Sequence, residues 1–375
     1  MHRIFINALS AKVGGGKTYI SNLLSNISSE QQCEIYIVCP DPSIIPSDKR
    51  IKYITTKFAN HNIFFRMLWE SLYLPILLLF VRANVLFVPG GMDFTFFSFG
   101  IPKVTMFRNM LPFDSKAQGA LPNRRLKIKN IILKLLMSRT MKSADSVIFI
   151  SNYARNVVKK LMKINASQVI PHGISNHFNP GVNPDEELNN RKGKYILYVS
   201  RFEPYKNHLN LLKAYALLSE TIKQAHQLIL VGEFMEPAYS DCIRYVQDNQ
   251  LEDFVIFKGK VIYEELPAIY KDASLFIFPS SCENCPNILL EAIGCGVPIL
   301  ASRTEPMPEF AKDAALYFDE NSYEDISIKI SEAFNNPILL KEMRGKSISL
   351  REDYMWEKTA LKTWKYLETI GGDNV

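Results

Sequence analysis

Cysteine is scarce in this chain of 375 residues: Cys33, Cys39, Cys242, Cys282, Cys285 and Cys295 are too few and too scattered for a disulfide framework. The N-terminal stretch MHRIFINALSAKVGGGKT has no apolar run that would serve as a secretion signal. A reducing, cytoplasmic setting is therefore expected. Long apolar runs are missing too. The most apolar stretch, LYLPILLLFV from Leu72 to Val81, contains Pro75 and is only about 10 residues long, where a spanning helix needs roughly 20. The expectation is a buried helix rather than a membrane span. No internal repeat and no low-complexity tract occurs.

Acidic residues are scarce in one half only. Residues 1–180 hold 23 Lys and Arg against 8 Asp and Glu, a balance of +15, whereas residues 181–375 hold 21 against 30, or −9. A basic half joined to an acidic half argues for an anionic partner on the first half. Eight basic residues and no acidic one lie between Asp114 and Asp145. The segment from Lys116 to Lys142 sets cations among apolar residues at helical spacing, which suits an anionic membrane surface or a solvated basic helix. It lacks the interleaved aromatics of a nucleic-acid site, and no nucleic-acid partner is expected.

What remains is ordinary for a globular protein, with 47% hydrophobic and 22% charged residues and a length that favours two domains. RIFINAL, EIYIVCP, VLFVPGG, KVTMF and SVIFIS read as strands separated by helical patterns, which implies parallel βαβ units. The polar, proline-containing stretch NPGVNPDEELNNRKGK (residues 179–194) reads as a linker. Alternation restarts in YILYVS, QLILVG, VIFKG, SLFIFP and PILAS. The expected organisation is a first α/β domain over residues 1–180, a linker over 181–193, a second α/β domain over 194–355 and a terminal amphipathic helix within 356–375.

Three sites carry candidate chemistry. VGGGKT follows the first strand and resembles the end of a phosphate-cradling loop, but Ala11 stands where that loop's first glycine belongs. No later strand ends in an acid to hold Mg²⁺. An ATPase or kinase remains the alternative, while Gly14, Gly15 and Gly16 retain a milder role in bringing backbone N–H groups to an anion. In the second domain Arg201 and Lys206 lie just past the strand YILYVS, where two cations suit a diphosphate. The loop SSCENCPN then leads into a helix starting near Pro286 or Asn287, whose first N–H groups suit an anion. Glu291, about one turn in, suits ribose hydroxyls, and Glu283 suits the orientation of a transferred sugar. Cys282 and Cys285 form a C-x-x-C without the sequence context of a redox or zinc site.

The run LFIFPSSCENCPNILLEAIGCGVPILAS resembles the E-x7-E element of the family-4 glycosyltransferases, and TEPMPEFAKDAALYF resembles the segment that follows it there. ADSVIFISNYARNVV, VIPHGISNHF, ILYVSRFEPYKNHLNLLKAY and VIFKGKVIYEELPAIYKDASLFIFPS are similar to further blocks of that family, in the same order. The resemblance implies two Rossmann-like parallel-sheet domains facing a cleft, the GT-B arrangement, with MWEKTALKTWKYLETI crossing back to the first domain. It implies retaining transfer of a hexose-type sugar from a nucleoside-diphosphate sugar to a saccharide or lipid-linked acceptor, in O-antigen or other surface-polysaccharide synthesis. A sugar-nucleotide epimerase and a phosphorylase share the fold and stay as alternatives.

Carried over by position, the resemblance assigns the diphosphate to Arg201 and Lys206, the ribose to Glu291 and the donor sugar to Glu283. Asn284, Cys285, Pro286, Asn287 and Ile288 would approach sugar and phosphate, and Lys258, Gly259 and Val261 would flank the base. His172 and Gly173 would line the cleft. The chain departs from the family where Asn284, Cys285 and Pro286 replace Gly-Phe-Gly, which removes backbone freedom. It departs again where Arg108 and Asn109 stand in place of a first-domain histidine, so that Asn109 becomes the candidate sugar contact. No Asp-x-Asp triplet occurs in the sequence. No cofactor and no metal are expected, and Arg201 and Lys206 would neutralise the diphosphate instead.

Overall fold

A computed structural model describes residues 2–12, 14–29, 31–181 and 195–372. The expected linker, apart from Gly181, lies outside the described residues. The chain divides into two compact units: Met1–Phe113 with Ile128–Gly173 and Trp356–Val375, and Asp114–Lys127 with Ile174–Met355.

The first unit is built on seven parallel strands: β1 (His2–Asn7), β2 (Cys33–Val38), β3 (Ile51–Tyr53), β4 (Val85–Val88), β5 (Lys103–Phe107), β6 (Ser146–Phe149) and β7 (Ala166–Val169). Their order is β3-β2-β1-β4-β5-β6-β7. Ile4 pairs with Ile35 on one side and Val85 on the other, and all three are buried. Strand centres covered on both faces are apolar, which is why residues 4–6 of β1, 85–88 of β4 and 147–149 of β6 read as unbroken hydrophobic runs. The edge strands β3 and β7 are short and half-exposed, and no apolar run announced them. The helix Trp356–Gly372 packs against β1 and β4 of this unit, burying Ala360, Trp364 and Leu367. Thr359 donates to the Pro171 carbonyl at 3.1 Å, and Tyr366 hydrogen-bonds Ser146.

The second unit carries six parallel strands: β8 (Tyr195–Val199), β9 (Gln227–Val231), β10 (Val255–Gly259), β11 (Leu275–Phe278), β12 (Ile299–Ser302) and β13 (Ala315–Phe318), in the order β10-β9-β8-β11-β12-β13. Residues 174–180 and 114–127, which fall inside the span read from sequence as the first domain, cluster with this unit. The reason for the former is packing. Phe178 is fully buried against Tyr263 and Tyr270, and Ile174 bridges to Met355.

One expectation is corrected. The apolar run at Leu72–Val81 belongs to a longer helix, Ile63–Phe80, and that helix is not buried. Trp69, Leu74 and Leu78 enter the core with Phe5, Leu86 and Val88. Ile63, Phe64, Leu72, Ile76, Leu79 and Phe80 face solvent, Leu72 at 67% and Phe80 at 85% exposure. The helix widens to a π turn over Trp69–Tyr73. Pro75 offers no N–H to the Ser71 carbonyl four residues back, which accounts for the break in the regular ladder.

Candidate functional site

In both sheets consecutive strands depart in opposite directions from the first strand, so each has a switch point where ligands bind beyond the strand ends. In the second unit the switch lies between β8 and β11. The loops that leave them are Ser200–Asn207 and Pro279–Pro286, and these are pinned to each other. Asn207 donates to the Pro279 carbonyl at 2.8 Å, and the Ser281 amide and hydroxyl both reach the Tyr205 carbonyl, at 2.9 and 3.1 Å. Across this seam Lys206 Nζ meets Glu283 Oε1 at 2.5 Å, with both side chains largely shielded from solvent. Tyr198 fixes the Lys206 backbone by donating to its carbonyl at 2.7 Å.

Arg201 sits on the same loop but faces outward, 57% exposed, with Glu203 at 3.3 Å. Glu203 also accepts from the Tyr205 hydroxyl. The loop therefore presents one recessed cation tied to an acid and one exposed cation at the rim.

The helix Asn287–Gly294 begins directly after the Cys285–Pro286 turn, with Pro286, which has no side-chain acceptor, at its N-cap. Asn284, Cys285 and Pro286 are buried, whereas Asn287 and Ile288 are partly open. Glu291 accepts from the Tyr270 hydroxyl at 3.1 Å. Loss of water around it raises its carboxyl pKa to about 8, with the Tyr270 bond opposing the shift. Gly294 lets this helix approach the chain at Ile174 and Phe178, since a Cβ there would lie 2.6 Å from the Ile174 side chain.

Lys258 and Gly259 end β10 and Val261 follows two residues on, with Lys258 exposed and Gly259 at φ 72° beside a register shift. A feature missed in the sequence lies next to them. Gly232, at the end of β9, has φ 152°, and a Cβ on it would fall 1.9 Å from the Ser200 carbonyl oxygen. Its amide bonds the Gly259 carbonyl at 2.8 Å, and the next carbonyl, of Glu233, accepts from the Phe202 amide at 3.0 Å. Gly232 thus joins the ends of β8, β9 and β10. The signal was present as a glycine closing the strand QLILVG.

In the first unit Gly14 caps the helix Gly15–Ser25 with φ 59° and ψ −146°, a backbone state for glycine. Arg108 donates to the Gly15 carbonyl and lies over the Tyr19 ring. Asn109 is exposed and accepts from the Leu111 amide at 3.2 Å. His172 is buried between Tyr19 and Trp356, and Gly173 is held against Trp356, whose Cα a Cβ would approach to 2.5 Å. Lys17 does not fold over the glycines; it pairs with Asp41 at 2.6 Å and holds that carboxyl down at about 2. Lys17→Ala is expected to leave nucleotide binding and the melting temperature essentially unchanged, as the loss of an exposed, solvent-screened pair does. Loss of nucleotide binding in that variant would revive the phosphate-loop reading. Cys282 and Cys285 are both buried, and no cluster of metal-ligating side chains occurs among the described residues.

Two parallel sheets, each with its switch point, and a second unit whose strand-end loops bring Lys206 onto Glu283 define a protein of the GT-B class. Residues 182–349 match the model of "Glycosyl transferases group 1", and residues 13–177 match that of "Glycosyltransferase Family 4". The chain belongs to the family-4 glycosyltransferases. It is 30% identical over 171 residues to the O-antigen chain mannosyltransferase B of Escherichia coli, covering 45% of this chain and 44% of that one. It spans less than half the length of the curated relatives it matches first, 44% of one and 28% of another. Sucrose-phosphate synthase from Thermosynechococcus elongatus superposes with a TM-score of 0.75 at 17% identity, with each chain covered fully. Anabaena HepE, solved in complex with UDP and glucose, gives 0.73 at 14% identity over 98% of this chain and 100% of that one. At these identities the likeness is one of fold.

Proposed function

We propose that the protein is a retaining glycosyltransferase that moves a hexose from a nucleoside-diphosphate sugar to a saccharide or lipid-linked saccharide in bacterial surface-polysaccharide synthesis. The Lys206–Glu283 pair at the switch point of the second unit carries this reading. The O-antigen mannosyltransferase supports the polysaccharide setting and makes mannose the first sugar to try. HepE, with UDP and glucose, supports a nucleoside-diphosphate donor on this fold.

Arg201 and Lys206 take the diphosphate, and their charge stabilises the phosphate oxygens as the glycosidic bond breaks. Glu283, already placed by Lys206, accepts hydroxyls of the donor sugar. Amide groups at the start of the Asn287–Gly294 helix approach the phosphate. Glu291 takes the ribose, and Lys258 to Val261 border the base. Departing phosphate and incoming hydroxyl share one face of the sugar, so the phosphate oxygen accepts the hydroxyl proton and configuration is retained. Gly14, Gly15, Gly16, Asn109, His172 and Gly173 belong to the acceptor side in this reading, and residues 116–142 to a peripheral membrane contact. The test is product analysis by NMR with GDP-mannose and UDP-glucose in EDTA. Retention at the anomeric carbon, without added metal, is expected; inversion, or turnover of the donor into an epimer without acceptor, would overturn the proposal.

The protonation of Glu291 gives this reading a pH signature. The free carboxyl is mostly neutral at pH 7 because its pKa is raised to about 8. Ribose hydroxyls donate to a carboxylate, so donor binding favours the charged form and releases a proton. Affinity for the nucleoside diphosphate should therefore climb with pH, by at most about tenfold per unit, and level off above pH 8. Calorimetry in buffers of different ionisation enthalpy would register the released proton. Glu291→Gln should flatten the profile, and a flat profile in the wild type would exclude this role for Glu291.

A further inference from the structure

The helix Ile63–Phe80 presents solvent with a face as apolar as the one it buries, and a helix hydrophobic all round is normally covered on every side. At 1.5 Å per residue the face is about 27 Å long. Its inner side is tied into the domain by the buried Arg66–Glu70 pair and by Trp69, Leu74 and Leu78, so the helix is fixed in place and cannot cross a bilayer. Beside it runs the loop 92–99. Arg66 donates to the Met92 carbonyl at 3.0 Å, and Ser71 to the Phe94 carbonyl at 2.9 Å. That loop turns Phe96, Phe97 and Phe99 outward, Phe99 from a left-handed backbone at φ 52°. An aromatic held there against its backbone preference, with its ring in water, marks a surface shaped for contact.

The charge around this face identifies what covers it. The basic helix Arg124–Ser143 is the next neighbour: Arg139 lies 4.3 Å from the Phe96 ring centre, and Thr140 accepts from the Asp93 amide at 3.1 Å. Along its exposed side Ile128, Ile132, Leu135, Arg139 and Lys142 recur at helical spacing, so an apolar strip is continued by two cations, of which Arg139 lies against the aromatic loop. The only acids in residues 57–99 and 128–142 are Glu70 and Asp93, and both are buried against Arg66 and Lys103. A protein partner of mixed charge would meet no exposed acid here, whereas an anionic bilayer offers acyl chains for the apolar strip and headgroups for its cationic border.

We propose that the outer face of Ile63–Phe80, together with the Phe96–Phe99 loop, inserts into the interface of an anionic lipid bilayer while Arg139 and Lys142 hold the headgroups. This extends the peripheral contact of residues 116–142 to a second, apolar element, and it is independent of the transfer chemistry. The test is flotation of the full chain with vesicles of phosphatidylcholine alone or mixed equally with phosphatidylglycerol. The wild type should float with the mixed vesicles and far less with phosphatidylcholine. Leu72→Glu/Ile76→Glu should weaken flotation at least tenfold at unchanged melting temperature. Arg139→Ala/Lys142→Ala should weaken it about fivefold per charge and reduce its salt dependence. The fluorescence of a polarity-sensitive dye on Ile76→Cys should shift to the blue on vesicle addition, and this readout serves should the double glutamate variant not fold. A wild type that stays unbound, a glutamate variant that floats like the wild type, or an unshifted dye would overturn the proposal. So would a wild-type dimer that the glutamate pair splits without vesicle binding, since the face would then belong to a second copy. Donor turnover in detergent-free solution is read separately, so membrane binding and transfer can fail independently.

Discussion

Replacing Lys206 by alanine is expected to lower kcat for sugar transfer by about 100- to 1000-fold, the scale seen when one preorganised group facing developing charge is removed. Lys206 is fixed before any donor arrives, by Glu283 at 2.5 Å and by the Tyr198 hydroxyl on its own carbonyl. A cation so placed has no reorganisation left to do as the diphosphate departs. The variant should also lose stability, on the order of 3 kcal/mol, because Glu283 is left shielded and unpaired. The two losses can be separated. Lys206→Met/Glu283→Gln removes both charges together and should recover most of the stability while leaving the rate low. Recovery of rate along with stability would reduce the pair to a structural strut. Arg201, exposed at the rim, should matter less: alanine there is expected to raise KM more than it lowers kcat.

Gly232→Ala is expected to abolish donor binding and to destabilise the second unit by about 4 kcal/mol or more. A methyl group at this position would sit 1.9 Å from the Ser200 carbonyl oxygen, on a backbone at φ 152° that side chains rarely adopt. The obstacle is backbone, so no rotamer change relieves it. The loops after β8, β9 and β10 meet through the hydrogen bonds of Gly232 and Glu233, so displacement at one strand end moves all three. Chemical denaturation should show the loss directly, and calorimetry with a nucleoside diphosphate should show no heat. Gly119→Ala is the control. Nothing lies within 4 Å of a Cβ at Gly119, and no change in stability beyond a few tenths of a kcal/mol is expected. An unperturbed Gly232→Ala would mean that the strand-end junction is not rigid.

These two positions also show what sequence reading reaches. Lys206 and Glu283 were legible because each follows a strong apolar strand, and strand ends are where doubly wound sheets bind ligands. That they touch was not legible, because the sequence does not say that β8 and β11 are neighbours. Gly232 escaped for a related reason. A glycine after a strand is common, and its necessity comes from the Ser200 carbonyl thirty-two residues away. The short edge strands β3 and β7 lacked the apolar runs that marked the central strands. The Leu72–Val81 run misled because hydrophobicity alone does not distinguish a helix covered on two sides from one covered on a single side. Exposure of Leu72 and Phe80 is a property of what the domain leaves uncovered. Residues 174–180 read as the tail of the first domain because no break in the alternation precedes them, yet Phe178 binds them to Tyr263 and Tyr270.

The central claim is that the second unit holds a nucleoside diphosphate through Lys206, Glu283 and Glu291 without a metal. The direct measurement is thermal denaturation with UDP, GDP, dTDP, CMP and ATP, each with and without Mg²⁺, on the wild type, Lys206→Met/Glu283→Gln and Glu291→Ala. A ligand at about 100 times its Kd stabilises by roughly 2.7 kcal/mol. One nucleoside diphosphate should raise the wild-type melting temperature equally in EDTA and in Mg²⁺, and both variants should lose the shift. Stabilisation by ATP and Mg²⁺ alone, undiminished in both variants, would contradict the account.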